Sequence, residues 1–235
     1  HEGQVGVSVC HYDCLTNTVE EMLFVPTTLT YEIMKEQIGK LMYVSDRGTF
    51  YMTISNQVYK IDLDTRKKEV FIDNLKPDML VNSEDGRYIA WTEDGSVMHV
   101  TDLEQDKAYD VSAEASEVVK PLGFLDSDCI YGVGKQSDIF STDTQTDTQA
   151  FSKVLIMDTA SSEHSILKTY EVPGVYVTGI RIEDGSIYLS RVTKTGDAYS
   201  VTTEDTIMNR DMQEKEQVSV SSVTSDSKQK EVTIK

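Results

Sequence analysis

The stretch from Asn82 to Ser112, NSEDGRYIAWTEDGSVMHVTDLEQDKAYDVS, constrains this chain more than any other. It alternates turn dipeptides with apolar runs too short for helices. Asp85-Gly86 is a turn pair, because glycine takes positive φ without steric cost and aspartate tolerates the adjoining position. Arg87 to Thr92 follows, aromatic and β-branched, and reads as a strand. Glu93-Asp94-Gly95 reverses the chain. Val97 to Thr101 is the next strand, closed by Asp102-Leu103, and a polar turn leads to a last strand, Ala108 to Val111.

Looser copies of this grammar lie on both sides. Asp46-Arg47-Gly48 precedes Phe50-Tyr51-Met52, with strands at Val58 to Leu63 and Glu69 to Ile72. Asp126-Ser127-Asp128 precedes Ile130-Tyr131-Gly132, with strands at Val154 to Asp158 and Leu167 to Val172. Asp184-Gly185 precedes Ile187-Tyr188-Leu189, and the final strands are expected at Val218 to Val223 and Val232 to Ile234. The segment from Asp226 to Val232 echoes that from Asp64 to Val70. Two landmarks set the register. One is the apolar residue three after the turn, at Tyr51, Ile89, Tyr131 and Tyr188. The other is an aspartate closing the third strand, at Asp13, Asp62, Asp102 and Asp158.

Successive aspartates stand 40 to 56 residues apart, near the period of a four-stranded propeller blade. A unit of that size buries one face of a small sheet and must stack on neighbours. The fold class expected is all-β: a propeller-like array of about four to five four-stranded antiparallel blades, incomplete or part of a larger ring. A β-sandwich with regular hairpins is the competing architecture. The expected division is a partial blade over 1–25, then blades over 26–75, 76–116, 117–173 and 174–235. Val5 to Asp13 and Val19 to Val25 read as the third and fourth strands of a blade whose first two are missing. Leu29, Ile33 and Ile38 have helical spacing behind Thr30, which predicts a short helix between blades.

Ser83-Glu84-Asp85-Gly86-Arg87-Tyr88-Ile89-Ala90-Trp91 and Val100-Thr101-Asp102-Leu103 resemble the TolB-type and prolyl-oligopeptidase-type propeller blade, and more distantly the WD repeat. The true WD repeat is disfavoured, since no Gly-His…Trp-Asp pair is present. The resemblance implies a fold, an extracytoplasmic bacterial setting, and closed rings in which strands from the two termini share a blade.

Bulk properties exclude several functions. A formal net charge of -18 opposes binding to nucleic acid, which needs clustered Lys and Arg, and to anionic membrane surfaces. It suits cationic partners or metal ions. No apolar run is long enough for a membrane-spanning helix, so direct membrane insertion of this segment is not expected. The chain opens on His1 without a visible signal peptide, and is expected to be a piece of a longer protein. Three cysteines do not make a disulfide framework. Cys10 and Cys14 flank His11, but a structural zinc site takes four protein ligands. Strand cysteines are the simpler reading, with Cys14 in the place of Leu63 and Leu103. Cys129 reads as a buried small apolar residue.

Catalytic constellations are not legible. There is no Gly-x-Ser-x-Gly elbow and no glycine-rich phosphate loop. His11 and His99 hold corresponding strand positions, His164 sits in a turn, and His1 is terminal. Carboxylates concentrate at turns, where aspartate has a backbone role. The Asp138 to Asp147 stretch lacks the ligand alternation and glycine of a calcium loop. Trp91 reads as core. Neither a cofactor nor a metal is expected.

Function is instead argued from topology. Long insertions are expected between the second and third strands of the last two blades, from Lys135 to Ala150 and from Thr193 to Gln217. The first is almost wholly polar and is expected to be mobile. The second opens on the turn Lys194-Thr195-Gly196-Asp197. In a meander the connections alternate faces, so both insertions and the helix fall on one face. Loops on a rigid scaffold carry binding. That face is the expected contact surface, with Lys135, Arg191 and Tyr199 as candidate binding residues for a protein or small ligand. The first functional reading is a non-catalytic binding or scaffold module of a larger protein. The alternatives are the gating propeller of a prolyl-oligopeptidase-like hydrolase and a carbohydrate-active propeller.

Overall fold

The computed structural model describes residues 3–38, 40–76, 78–141, 147–208, 220–224 and 230–234. An N-terminal antiparallel hairpin pairs Val5–Asp13 with Thr18–Thr27. A helix, Tyr31–Ile38, follows. Sheet one is a meander of Met42–Val44, Thr49–Ile54, Gln57–Asp62 and Lys68–Ile72. Sheet two runs through Leu80–Asn82, Tyr88–Thr92, Val97–Asp102 and Lys107–Ser112. Sheet three is built from Glu117–Leu125, Asp128–Lys135, Lys153–Met157 and Ile166–Glu171. Sheet four pairs Val175–Glu183 with Ser186–Thr195. Antiparallel order, strand number and face-to-face stacking make this an open propeller-like array.

Four apolar clusters lie between consecutive layers. Phe50, Met52, Ile54 and Ile61 of sheet one pack on Val25 and Met34. Tyr51, Val58 and Ile72 pack on Ile89 and Leu103 of sheet two. Tyr88, Ala90, Met98 and Val100 meet Val119, Cys129, Tyr131 and Met157 of sheet three. Ile130, Val154 and Ile156 meet Val177, Ile187 and Leu189 of sheet four. Sheets one to three therefore each lend a dry face to both neighbours, which is how thin repeats gain stability.

The aspartate landmark has a local cause. Asp13 Oδ1 accepts the backbone N–H of Leu15 and Thr16, Asp62 that of Thr65, Asp102 those of Glu104 and Gln105, and Asp158 those of Ala160 and Ser161. Each is an Asx-type turn. The left-handed residue that completes it is Asn17, Arg66, Asp106 or His164. The shared turn identifies the N-terminal hairpin as a third–fourth pair. No inner strands stand beside it among the described residues, and Met42 and Val44 of sheet one are accordingly 59% and 56% exposed. Cys14 is exposed for a related reason: its counterparts Leu63 and Leu103 pack on a preceding layer, and among the described residues no layer packs on that side of the N-terminal hairpin.

The apolar landmark is corrected by one residue. Asp62 lies opposite Thr49 and Asp102 opposite Tyr88, so Phe50 and Ile89 are equivalent, as are Cys129 and Ile187 opposite Met157 and Ile207. These four face the preceding layer. Tyr51, Ala90 and Ile130 follow them and face the next layer, and Tyr188 holds the same position in sheet four. Ile89 and Tyr131 thus do not share a face with Tyr51, because a one-residue slip in a strand reverses every side chain.

Two further expectations change. The row beside Ser186–Thr195 is filled by Ala198–Val201 and Asp205–Met208, not by a strand near 218–223. Val220–Thr224 pairs with Lys230–Ile234 as a separate hairpin. The polar run at 214–216 and the stretch 142–146 lie outside the described residues. In the helix, Met34 is buried and Ile33 is 46% exposed, since Met34 and Ile38 are spaced i, i+4 on the core side.

Candidate functional site

At one end of sheets three and four the chain leaves the blade pattern. After Lys135 a small hairpin, Ile139–Ser141 with Asp147–Gln149, rises between the second and third strands of sheet three. Its base is closed by backbone and amide bonds. The Lys135 carbonyl accepts Asp138 N–H at 3.0 Å and Gln149 Nε2 at 2.9 Å, and Ala150 N–H donates to the Asp138 carbonyl at 2.8 Å. Phe151 and Val177 exchange two backbone bonds of 2.8 Å, joining the hairpin's end to sheet four.

The neighbouring extension of sheet four meets this hairpin. Gly196, at φ 62, lets Lys194–Thr195 fold back on Ala198–Tyr199, a geometry that glycine enters freely. Lys194 Nζ reaches Asp138 Oδ1 at 2.6 Å, and Tyr199 OH donates to the same oxygen at 3.0 Å. The Asp138 side chain is 4% exposed and that of Lys194 27%. The Phe140 ring stacks on Tyr199 at 4.6 Å and 16°, and Tyr176 meets Tyr199 edge-on at 5.8 Å. Lys194 lies over the Tyr199 ring at 5.1 Å. Asp138 and then Tyr199 hold the Lys194 ammonium above its ordinary range. Burial, then the Asp138 carboxylate, push the Tyr199 phenol up against the pull of Lys194. All three polar groups are consumed by one another. The arrangement fixes an aromatic ledge of Phe140, Tyr176 and Tyr199; it offers no free acid or base.

The three nominated residues are placed differently. Tyr199 is the centre of the ledge. Lys135 stands at its base, exposed, and contributes its carbonyl. Arg191 does not join the hairpin: its guanidinium donates to Thr203 O at 2.8 Å, Tyr170 OH at 2.8 Å and Asp205 Oδ2 at 2.8 Å. It lies opposite Val177 and fastens sheet four to the outer strand of sheet three. Sequence reasoning passed over Phe140, Tyr176 and Lys194. Phe140 was the available signal, as a lone aromatic beside an otherwise polar run. The described residues of the hairpin expected to be mobile contact the extension of sheet four through Phe140 and Asp138. Asp147, weighed for calcium, accepts Ser141 Oγ at 2.7 Å. Among the described residues no three His, Cys, Asp or Glu side chains are grouped to hold a metal ion, and no helix is long and apolar enough to cross a membrane.

Close backbone approach at the hairpin base depends on Gly134. A Cβ there would overlap the Ala150 carbonyl oxygen. Gly134→Ala is expected to destabilise by about 1–3 kcal/mol and to free the hairpin, measured as faster hydrogen exchange at Ala150 and Phe151.

No family model matches the chain, and no curated protein matches it. Solved structures are similar in part. BamB from Moraxella catarrhalis shares 13% identity over 65% of this chain and 40% of its own, with a TM-score of 0.36. The WD40 repeats of RRP9 share 14% over 69% of this chain and 50% of their own, with a TM-score of 0.35. The extracellular domain of the one-component system BT4673 from B. thetaiotaomicron shares 11% over 68% of this chain and 20% of its own, with a TM-score of 0.38. The chain therefore spans half or less of the length of these proteins. The architecture described above rests on strand order and packing, not on these superpositions.

Proposed function

We propose that this chain is a non-catalytic recognition module whose contact surface is the ledge formed by the Ile139–Gln149 hairpin and the Lys194–Val201 extension. The observation that carries this reading is the buried Asp138 carboxylate. It spends an ion pair and a hydrogen bond on holding a protruding hairpin against the next sheet, and the fold itself has no need of that hairpin. Pre-organised aromatic side chains on a rigid scaffold recognise a partner at low entropic cost. We further infer that the module belongs to a larger extracytoplasmic protein, in keeping with the TolB-type resemblance of Ser83 to Leu103.

The test uses a photoreactive benzophenone side chain at Ile139, which is 50% exposed, and at Leu15, which is 97% exposed on the opposite, aspartate-turn end. Extract of the source cell is expected to give a discrete protein adduct at Ile139, absent at Leu15 and lost in Tyr199→Ala. Equal labelling at both positions, or adducts indifferent to Tyr199→Ala, sinks the assignment. Turnover of chromogenic peptide or glycoside substrates by the purified chain would replace it with an enzymatic one.

A further inference from the structure

A second surface lies at the other end of the same two sheets, where Asp128 begins the strand that Lys135 ends. Between sheets three and four a groove of about 680 Å³ opens there, walled by Leu125, Ile156, Leu167, Ile207 and Met208, with Asp128 at its side. Its rim is unusually apolar for solvent-facing chain: Leu167 is 53% and Met208 68% exposed. Asp128 is half-buried, and among the described residues no cation pairs with it. Lys168 also lines the groove and forms no ion pair among the described residues. In this respect Asp128 differs from the aspartates that close the third strands, each of which accepts backbone N–H groups. Burial, and then the neighbouring Asp158 and Asp126 carboxylates, hold the Asp128 carboxyl above the usual range. Among the described residues the site thus sets a carboxylate, with two like-charged neighbours and no paired cation, against an apolar wall.

An unpaired carboxylate losing hydration beside apolar side chains is stabilised by a cation that brings its own apolar stem. We propose that this groove binds an alkyl-stemmed cation, the chemistry of an arginine or lysine side chain presented by an apolar, basic segment of a partner protein. The stem lies along Leu125, Leu167, Ile207 and Met208, and the head group pairs with Asp128. Charge complementarity favours this occupant over others. The chain carries a formal net charge of -18, which draws cationic segments and repels anionic ones. A partner held here leaves the aromatic ledge free, since the two surfaces occupy opposite ends of the sheets.

The experiment is a titration of the full chain with octylguanidinium and, separately, with an acetylated, amidated Leu-Arg-Leu tripeptide, followed by methyl NMR of Met208 and Ile207. Both probes are expected to bind saturably and to shift these methyl resonances. Octyl sulfate, equally apolar but anionic, is expected to bind about tenfold more weakly or not at all. Asp128→Asn, nearly isosteric, is expected to weaken octylguanidinium about tenfold. Met208→Lys, a change at an exposed position, tests the same groove without touching Asp128 and is expected to abolish binding by both probes. Absence of binding, equal binding of octyl sulfate, or an unchanged affinity in Asp128→Asn with methyl shifts elsewhere would each overturn the assignment. Binding of octylguanidinium but not of the tripeptide would confine the groove to small amines and overturn the peptide partner.

Discussion

Phe151→Ala is expected to lower the unfolding free energy by about 3–5 kcal/mol, the largest effect of any single truncation in sheets three and four. Phe151 is 1% exposed, and its ring occupies the space directly over Gly132, where an added Cβ would stand 2.5 Å from the ring. The residue directly below, Gly132, has no side chain with which to fill the hole. Phe151 also exchanges two backbone bonds with Val177, so loss of its packing loosens the junction that seats the protruding hairpin. For a chain of this size each kcal/mol moves the thermal midpoint by about 2–4 °C, and a fall of about 10 °C is expected by circular dichroism. Phe151→Leu, which fills most of the volume, is expected to recover more than half of it. A fall below about 3 °C for the alanine variant would mean that sheets three and four are joined mainly elsewhere.

Asp102→Ala is expected to cost about 3–5 kcal/mol, because it strands a guanidinium that no other carboxylate among the described residues engages as closely. Arg87 Nε and Nη2 donate to the two Asp102 oxygens at 3.0 and 2.7 Å, and the Asp102 side chain is only 12% exposed. The same carboxylate accepts Glu104 and Gln105 N–H. Nearby, Tyr43 OH donates to Glu104 at 2.6 Å, tying sheet one to the same turn. The equivalent change at Asp62 is expected to cost far less, since Asp62 is exposed and serves only its turn. The pH dependence follows from direction. Burial pulls the Asp102 carboxyl up, but Arg87 and the backbone N–H groups outweigh it, and the group sits below the ordinary aspartate value of 3.8. A depressed folded value gives stability that is fully present above the unfolded value and is lost as pH falls through the folded one. Denaturant midpoints of the unmodified chain should therefore fall below about pH 4, and those of Asp102→Ala should fall less steeply. Parallel curves for the two proteins would assign the acid loss to other carboxylates.

How legible this was depended on the range of the interaction concerned. The Asx turns at Asp13, Asp62, Asp102 and Asp158 were visible in sequence because the carboxylate, its N–H donors and the left-handed residue lie within seven positions of one another. The helix before sheet one was visible as a spacing, although which side faced inward was not: Ile33 and Met34 are both apolar, and only the position of sheet one selects Met34. Tyr199 was found because it lies in an extension that topology brings beside the hairpin of sheet three. Arg191 was named on the same ground, yet its partners are Tyr170 and Asp205. Strand alternation says that it leaves the strand on a given side; it does not say which acceptor waits there.

From its sequence alone, this protein was committed to short antiparallel strands, to reversals at each Asp and Gly, and to stacked thin sheets. Those commitments need only local φ/ψ preference and the count of apolar residues per unit. Tertiary structure decided the rest. It set which face Tyr51 and Ile89 turn to their neighbours, and it gave the third row of sheet four to Ala198–Met208. It also brought Asp138 to Lys194 and left Asp128 without a paired cation among the described residues. Each of these depends on contacts between residues distant in the chain, where a shift of one position exchanges a buried face for an exposed one at no change in local preference.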